Sequence, residues 1–284
     1  MASDTSESAV ESAVEGTTRR LNTGATIPQV GLGVWQMRGS DARRAVTTAL
    51  ELGYRHVDTA RIYGNEAEVG AAIKTSGVPR EELFVTTKLW NDDQGYDRAL
   101  RAFDASLERL GLDYVDLYLL HWPVAGKRLE SWRALERQHA DGRARAIGVS
   151  NFLVSHLEEL LGMAKVVPAV NQIELSPFLQ RRQTRALCAR QQIVVEAYSP
   201  LTHGQRLDHP VLATVAASVK RSPAQVLLRW GIQHDLVVLP KSTRAPRLRE
   251  NAALFDFTLD AAAMAALDGC EEGLVTGWDP AGQA

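Results

Sequence analysis

Four polar side chains of complementary chemistry stand at the ends of three short apolar runs between Asp58 and His121. The first run, residues 54–58, closes on the Asp58 carboxylate, with the phenol of Tyr63 five residues further on. The second, residues 83–88, closes on the Lys88 amine, and the third, residues 115–120, is followed directly by the imidazole of His121. If the runs are parallel neighbours in one sheet, all four groups converge. A phenol with its ordinary pKa of about 10 is poorly matched to proton transfer at neutral pH, and a nearby ammonium favours its ionised form. Lys88 is therefore the expected tuning cation of Tyr63. A desolvated lysine tends to lose its proton unless a carboxylate holds it, which is the expected work of Asp58. Each residue also has a structural reading: an Asp58–Lys88 ion pair, a satisfied core histidine and a packed loop tyrosine.

The elements that must position these groups alternate between two periods. Asn22-Thr23-Gly24 supplies turn residues between residues 20–21 and 27–28, which predicts an N-terminal β-hairpin. Residues 30–35 form a strand in which Gly31 and Gly33 leave room for close backbone or ligand approach. Helices are expected over 41–53, with Ser40 as the capping candidate, and over 65–76, 97–110, 130–140, 155–162, 179–191, 210–219, 223–233 and 245–254. Leu100, Phe103, Leu107 and Leu110 share one face at helical spacing, and Ser222-Pro223 offers an N-cap with proline at the first helical position. Seven further short apolar runs end at Asp58, Lys88, Leu120, Val149, Ile173, Tyr198 and Leu239. Eight strands separated by helical segments specify an α/β fold, the closed (β/α)8 TIM barrel. A doubly wound open sheet competes, but no GxGxxG opens a helix, since Gly31 and Gly33 are followed by Trp35. In a barrel all strands point one way, so Asp58, Lys88 and His121 share the C-terminal rim.

Composition narrows the function classes. Thirty-two basic against 34 acidic residues give a formal charge of -2 without a basic block, which argues against a nucleic-acid partner. Cys188 and Cys270 belong to no zinc or disulfide pattern, consistent with a reducing compartment. No charged leader precedes an apolar core, and no apolar run reaches about 18 residues, so no membrane partner and a cytoplasmic location are expected. No repeat or heptad points to a protein partner. Residues 1–18, with four acids among Ser, Thr and Ala, are expected to be a disordered tail, leaving 19–284 as one barrel domain.

Asp58-Thr59-Ala60-Arg61-Ile62-Tyr63-Gly64-Asn65-Glu66, Lys88-Leu89-Trp90 and Leu120-His121-Trp122-Pro123 resemble the signatures of the aldo-keto reductase superfamily. The resemblance recurs at Gly148-Val149-Ser150-Asn151-Phe152, Ala197-Tyr198-Ser199-Pro200-Leu201 and Pro240-Lys241-Ser242, and spans about residues 20–284. It implies NADPH-dependent reduction of an aldehyde or ketone, with NADH less preferred, no metal and a monomer. Hydride arriving at a carbonyl carbon puts negative charge on the oxygen. Tyr63 is then the expected general acid, tuned by Lys88 and Asp58, and His121 orients the carbonyl. The alternative is a catalytically weak barrel that keeps NADP(H) binding as a regulatory or binding module.

The resemblance also implies that Ser150, Asn151 and Gln172 hydrogen-bond the nicotinamide carboxamide, that Tyr198 stacks on its ring, and that Ser199 and Leu201 join the cofactor surface. Lys241 and Arg247 match positions that hold the adenosine 2′-phosphate, and Glu250 and Asn251 match adenine-side contacts. Lys241, Ser242, Thr243, Arg244 and Arg247 gather cations and hydroxyls at a strand-to-helix junction, where unpaired amides also favour phosphate; a solvated basic helix start is the bland alternative. Trp35, Trp90 and Trp122 are expected to wall a compact, partly apolar substrate pocket, with residues 270–284 forming a C-terminal loop over the active-site rim. Trp278 either joins them or anchors that segment. Short loops after Pro123 and Leu201 resemble the prokaryotic 2,5-diketo-D-gluconate reductase-like branch.

Overall fold

The computed structural model describes residues 17–282. β1 (Thr18–Arg20) pairs antiparallel with β2 (Thr26–Pro28), and Gly24 takes φ +89° in the turn between them. The hairpin thus begins within the expected tail, and the remainder of that expectation falls on residues 1–16, outside the described residues.

Eight strands follow: β3 (Leu32–Gly33), β4 (His56–Asp58), β5 (Phe84–Leu89), β6 (Val115–Leu120), β7 (Ala144–Ser150), β8 (Val170–Glu174), β9 (Val194–Tyr198) and β10 (Val237–Leu239). Each pairs in parallel with the next. The sheet closes where Val30 bridges Val238, with Gly31 N donating to Val238 O at 3.0 Å and Val238 N to Gln29 O at 2.8 Å. This is the (β/α)8 barrel, although its first strand is shorter than expected. Gly31 is a packing glycine: a Cβ there would lie 2.6 Å from His56 Nδ1 and 2.7 Å from Leu239 Cδ2. Gly33 instead faces the cavity described below.

The helices are α1 (Gly39–Glu51), α2 (Glu66–Thr75), α3 (Tyr96–Leu110), α4 (Arg128–Ala140), α5 (Val154–Leu161), α6 (Arg182–Arg190), α7 (Pro210–Val219), α8 (Pro223–Gln233), α9 (Ala245–Ala252) and α10 (Ala261–Asp268). Ser222 caps α8 as expected, accepting from Gln225 N at 3.2 Å. Ser40 does not cap α1: Gly39, at φ +49°, lets the helix start two residues earlier, which puts Ser40 in its first turn. α10 has no counterpart in the sequence reading, because it is alanine-rich and buries only Leu267, so it lacks an apolar stripe. No described helix is long and apolar enough to cross a membrane.

Strand alternation sorts side chains between two cores. Leu117 and Leu119 join Leu21, Ile27, Phe84 and Val237 in a plug within the barrel, while Tyr118 and Leu120 join the core between strands and helices. Register carries the inward direction across the sheet, since Thr86 pairs with Leu117, Lys88 with Leu119 and Glu196 with Val237. Asp58 aligns with Thr86 and Gln172 with Glu196. A polar layer therefore sits above the apolar plug.

Candidate active site

Lys88 is wholly buried, and its Nζ donates to Asp58 Oδ1 at 2.6 Å, to Thr59 O at 2.9 Å and to Tyr63 Oη at 3.4 Å. Tyr63 reaches this point through a 3-10 turn, Arg61–Tyr63, reversed by Gly64 at φ +66°. Asn65 pins the turn: its Nδ2 donates to Val34 O at 2.9 Å and to Met37 O at 3.0 Å, and its Oδ1 accepts from Thr59 Oγ1 at 2.6 Å. Glu66 accepts from Thr87 Oγ1 and from Arg109 Nε, both at 2.6 Å, and so ties α2 to β5 and α3. Neither Asn65 nor Glu66 was singled out from the sequence, although both lie in the motif around Tyr63. The available signal was a polar pair directly after the Tyr63-Gly64 turn, at the start of a helix.

The His121 ring stands 5.8 Å from that of Tyr63 and 5.2 Å from that of Trp90, centroid to centroid. Burial, and then the Lys88 charge, push its imidazole well below the ordinary range, so it is neutral near pH 7 and donates from one ring nitrogen. For Lys88, burial works against the charged form, but Asp58 and Tyr63 outweigh it and the amine stays an ammonium. For Tyr63, burial is the largest influence and raises the phenol; Lys88 opposes this, Asp58 reinforces it, and the net shift is upward. Lys88 acts in the expected direction and favours the phenolate, yet burial outweighs it, so the phenol keeps its proton and stands as a donor.

Asn151, at φ +64°, donates from Nδ2 to His121 O at 3.0 Å and to Ser150 Oγ at 3.1 Å, and its Oδ1 accepts from Tyr198 Oη at 2.8 Å. Gln172 Nε2 donates to Asp58 Oδ2 at 2.8 Å and to Glu196 Oε2 at 2.6 Å. A carboxylate only accepts, so the amide nitrogen must face Asp58. That orientation turns Gln172 Oε1 toward the open space that the residue lines.

That space is a cavity of about 500 Å³ at the C-terminal ends of the strands. Asp58, Tyr63, His121, Ser150, Asn151, Gln172, Tyr198, Ser199, Leu201, Lys241 and Arg247 line it, together with Trp35, Trp90, Trp122 and Trp278. Lys88 lies behind Tyr63. Ser242, Thr243, Glu250 and Asn251 are not on the wall. Ser242 is buried and accepts from Arg244 N at 3.1 Å, Asn251 is buried in α9, and Thr243 is exposed. Gln36, Ile62, His203 and Leu207 also line the cavity, from segments without the periodic signal that marks a wall in sequence. A wider groove of about 1280 Å³ lies at the opposite barrel end, beside Arg20, Arg182 and Arg185, and holds none of the four polar groups. No group of three or more His, Cys, Asp or Glu among the described residues can hold a metal ion.

Trp278 is 69% exposed, and its ring centroid lies 5.8 Å from that of Trp122. Its segment is tied down elsewhere: Thr276 N donates to Glu174 Oε1 at 2.8 Å, and Arg181 pairs with Asp279 at 3.2 Å. Trp278→Ala is therefore expected to change the relative apparent KM of bulky and small substrates several-fold while costing less than about 0.5 kcal/mol of stability, as exposed substitutions do. Parallel KM measurements and thermal melts check this. A lower melting temperature with unchanged selectivity would make Trp278 an anchor.

A family model described as the aldo/keto reductase family matches residues 29–272. A glyoxal reductase of Bacillus subtilis (strain 168) is 52% identical over 252 residues, covering 88% of this chain and 91% of the relative. A morphine 6-dehydrogenase of Pseudomonas putida is 50% identical over 275 residues, covering 92% and 93%. Among solved structures, an aldo-keto reductase of Bombyx mori in complex with NADP superposes with a TM-score of 0.87 at 39% identity, covering 91% of this chain and 94% of that one.

Proposed function

We propose, on the premise that the chain belongs to the aldo/keto reductase family, that it uses NADPH to reduce small aldehydes and ketones to alcohols. The observation that carries this reading is the Tyr63 hydroxyl 3.4 Å from a buried Lys88 ammonium, itself 2.6 Å from Asp58, on a cavity wall shared with a neutral His121.

A nicotinamide nucleotide suits the donor and acceptor set. Gln172 Oε1 and Ser150 Oγ can meet a carboxamide, the Tyr198 ring offers a stacking face, and Lys241 and Arg247 bring cations suited to a phosphate to the same cavity wall. When bound, that cofactor supplies the hydride. The chain does the rest: Tyr63 gives its hydroxyl proton to the carbonyl oxygen, Lys88 stabilises the phenolate left behind, Asp58 keeps Lys88 charged, and His121 orients the carbonyl. Ser199 and Leu201 complete the cofactor surface, Ser242 and Thr243 add hydroxyls to the phosphate cluster beside Lys241, and Glu250 and Asn251 serve the adenine side. The NADP in the silkworm relative supports the choice of nucleotide.

Four indoles around one mouth favour compact substrates with an apolar part. The relatives' names range from glyoxal to morphine, so the 2,5-diketo-D-gluconate reductase-like affinity is proposed on loop length: only four residues, 124–127, separate Pro123 from α4. The same reading makes the protein a cytoplasmic monomer.

The test follows NADPH consumption with a panel of small aldehydes, diketones and keto sugars. Cofactor binding without turnover across the panel would leave a binding module instead. Lys241→Ala and Arg247→Ala are each expected to raise the KM for NADPH by about 10–100-fold, the value of one charge-assisted phosphate contact, and to leave NADH nearly unchanged. Equal effects on both nucleotides would remove these residues from 2′-phosphate recognition.

A further inference from the structure

Beneath the four residues lies a carboxyl group that the proposed reaction does not use. Glu196 points inward from the middle of β9, is wholly buried, and accepts through Oε2 from Gln172 Nε2 at 2.6 Å. Its Oε1 has no hydrogen-bond partner among the described residues and lies 3.5 Å from His56 Nε2. Burial pushes that imidazole down to about 3, so it brings Glu196 no positive charge near neutral pH. The other ionisable groups facing this layer are Asp58 on β4, Lys88 on β5 and Tyr63 above it, while β8 contributes the Gln172 amide and β10 only Val237. Among the described residues the one nearby ammonium, Lys88, is already bound to Asp58.

A buried carboxyl with no cation of its own is favoured as the neutral acid. Burial, reinforced by the charge of Asp58, pushes Glu196 up to about 8. We propose that Glu196 is a positioning residue of this site: as the neutral acid it fixes the Gln172 amide beside Asp58 and leaves Asp58 the single counter-charge of Lys88. The proposal rests on the reductase reading for its consequence. Once ionised, Glu196 places a second negative charge in the layer, which favours the protonated forms of Tyr63 and Lys88. Carbonyl reduction then keeps its acid to higher pH, and the reverse oxidation, which needs the phenolate, is held back.

The experiment has two readouts. In cofactor-free protein carrying 13C in its glutamate carboxyls, an NMR titration over about pH 5–10 is expected to show one carboxyl with a midpoint near 8, missing from Glu196→Gln. Glutamates that all titrate below about pH 6 overturn the proposal, and this wild-type measurement requires neither turnover nor a folded variant. In the pH–rate profile for reduction, Glu196→Gln is expected to move the alkaline limb to lower pH. A change in kcat equal at every pH, with the limb unmoved, marks a space-filling role and also overturns it. Absence of turnover by the unaltered protein removes the reductase reading, and the carboxyl titration still decides whether Glu196 is the neutral acid.

Discussion

Tyr63→Phe is expected to bind NADPH within about two-fold of the unaltered protein and to reduce aldehydes about 10²–10⁴-fold more slowly, the usual contribution of a positioned general acid. The substitution deletes one oxygen. The ring keeps its edge contact with His121, and Asn65 still pins the turn through Val34 and Met37, so the fold and the cofactor surface survive. What disappears is the only hydroxyl among the described residues that is hydrogen-bonded to the Lys88 ammonium. The competing donor is His121. Burial and Lys88 both push its imidazole well below the usual range, so the imidazolium is scarce at pH 7 and the ring is suited to orienting the carbonyl rather than protonating it. The ratio of kcat for Tyr63→Phe to that for His121→Gln separates the two. A loss under about ten-fold in Tyr63→Phe would pass the proton to His121 or to water.

The strand ends were legible because a parallel barrel turns sequence order into a ring. Asp58, Lys88 and His121 each close an apolar run, and the fold brings such positions to one rim whatever their distance in sequence. Ser150 and Tyr198 follow the same rule on β7 and β9, whereas Gln172 lies in the middle of β8 and was marked only by the family resemblance. Glu196 did not stand out, because it lies inside an apolar strand, where one polar letter says nothing of which face it takes or what it meets. Asn65 and Glu66 act through Val34, Met37, Thr87 and Arg109, partners that only the folded chain supplies. The net shift of Tyr63 was illegible for a related reason: Lys88 is visible as a neighbour in the pattern, whereas the burial that outweighs it is a property of the folded barrel. His203 and Leu207 reach the cavity from a loop, and loop residues carry no period from which a face can be inferred.

Asp58→Asn and Lys88→Met are each expected to lower stability by about 3–5 kcal/mol, and the double variant by less than their sum. In Asp58→Asn a fully buried ammonium keeps, among the described residues, only Thr59 O and Tyr63 Oη as hydrogen-bond partners and loses the carboxylate that contributes most against burial. In Lys88→Met the Asp58 carboxylate keeps, among the described residues, only the Gln172 amide. Removing both charges leaves no unpaired ion in the barrel, so denaturant unfolding should show a coupling of about 1–3 kcal/mol between the two sites. Turnover is expected to behave differently. Without the ammonium nothing opposes the effect of burial on Tyr63, and the phenolate formed by proton transfer loses its stabilising charge. The double variant should therefore remain at least about 10²-fold slow although its stability partly returns. Stability and turnover recovering together would reduce Asp58 and Lys88 to a structural ion pair. Recovery of stability alone ties their charges to the reaction.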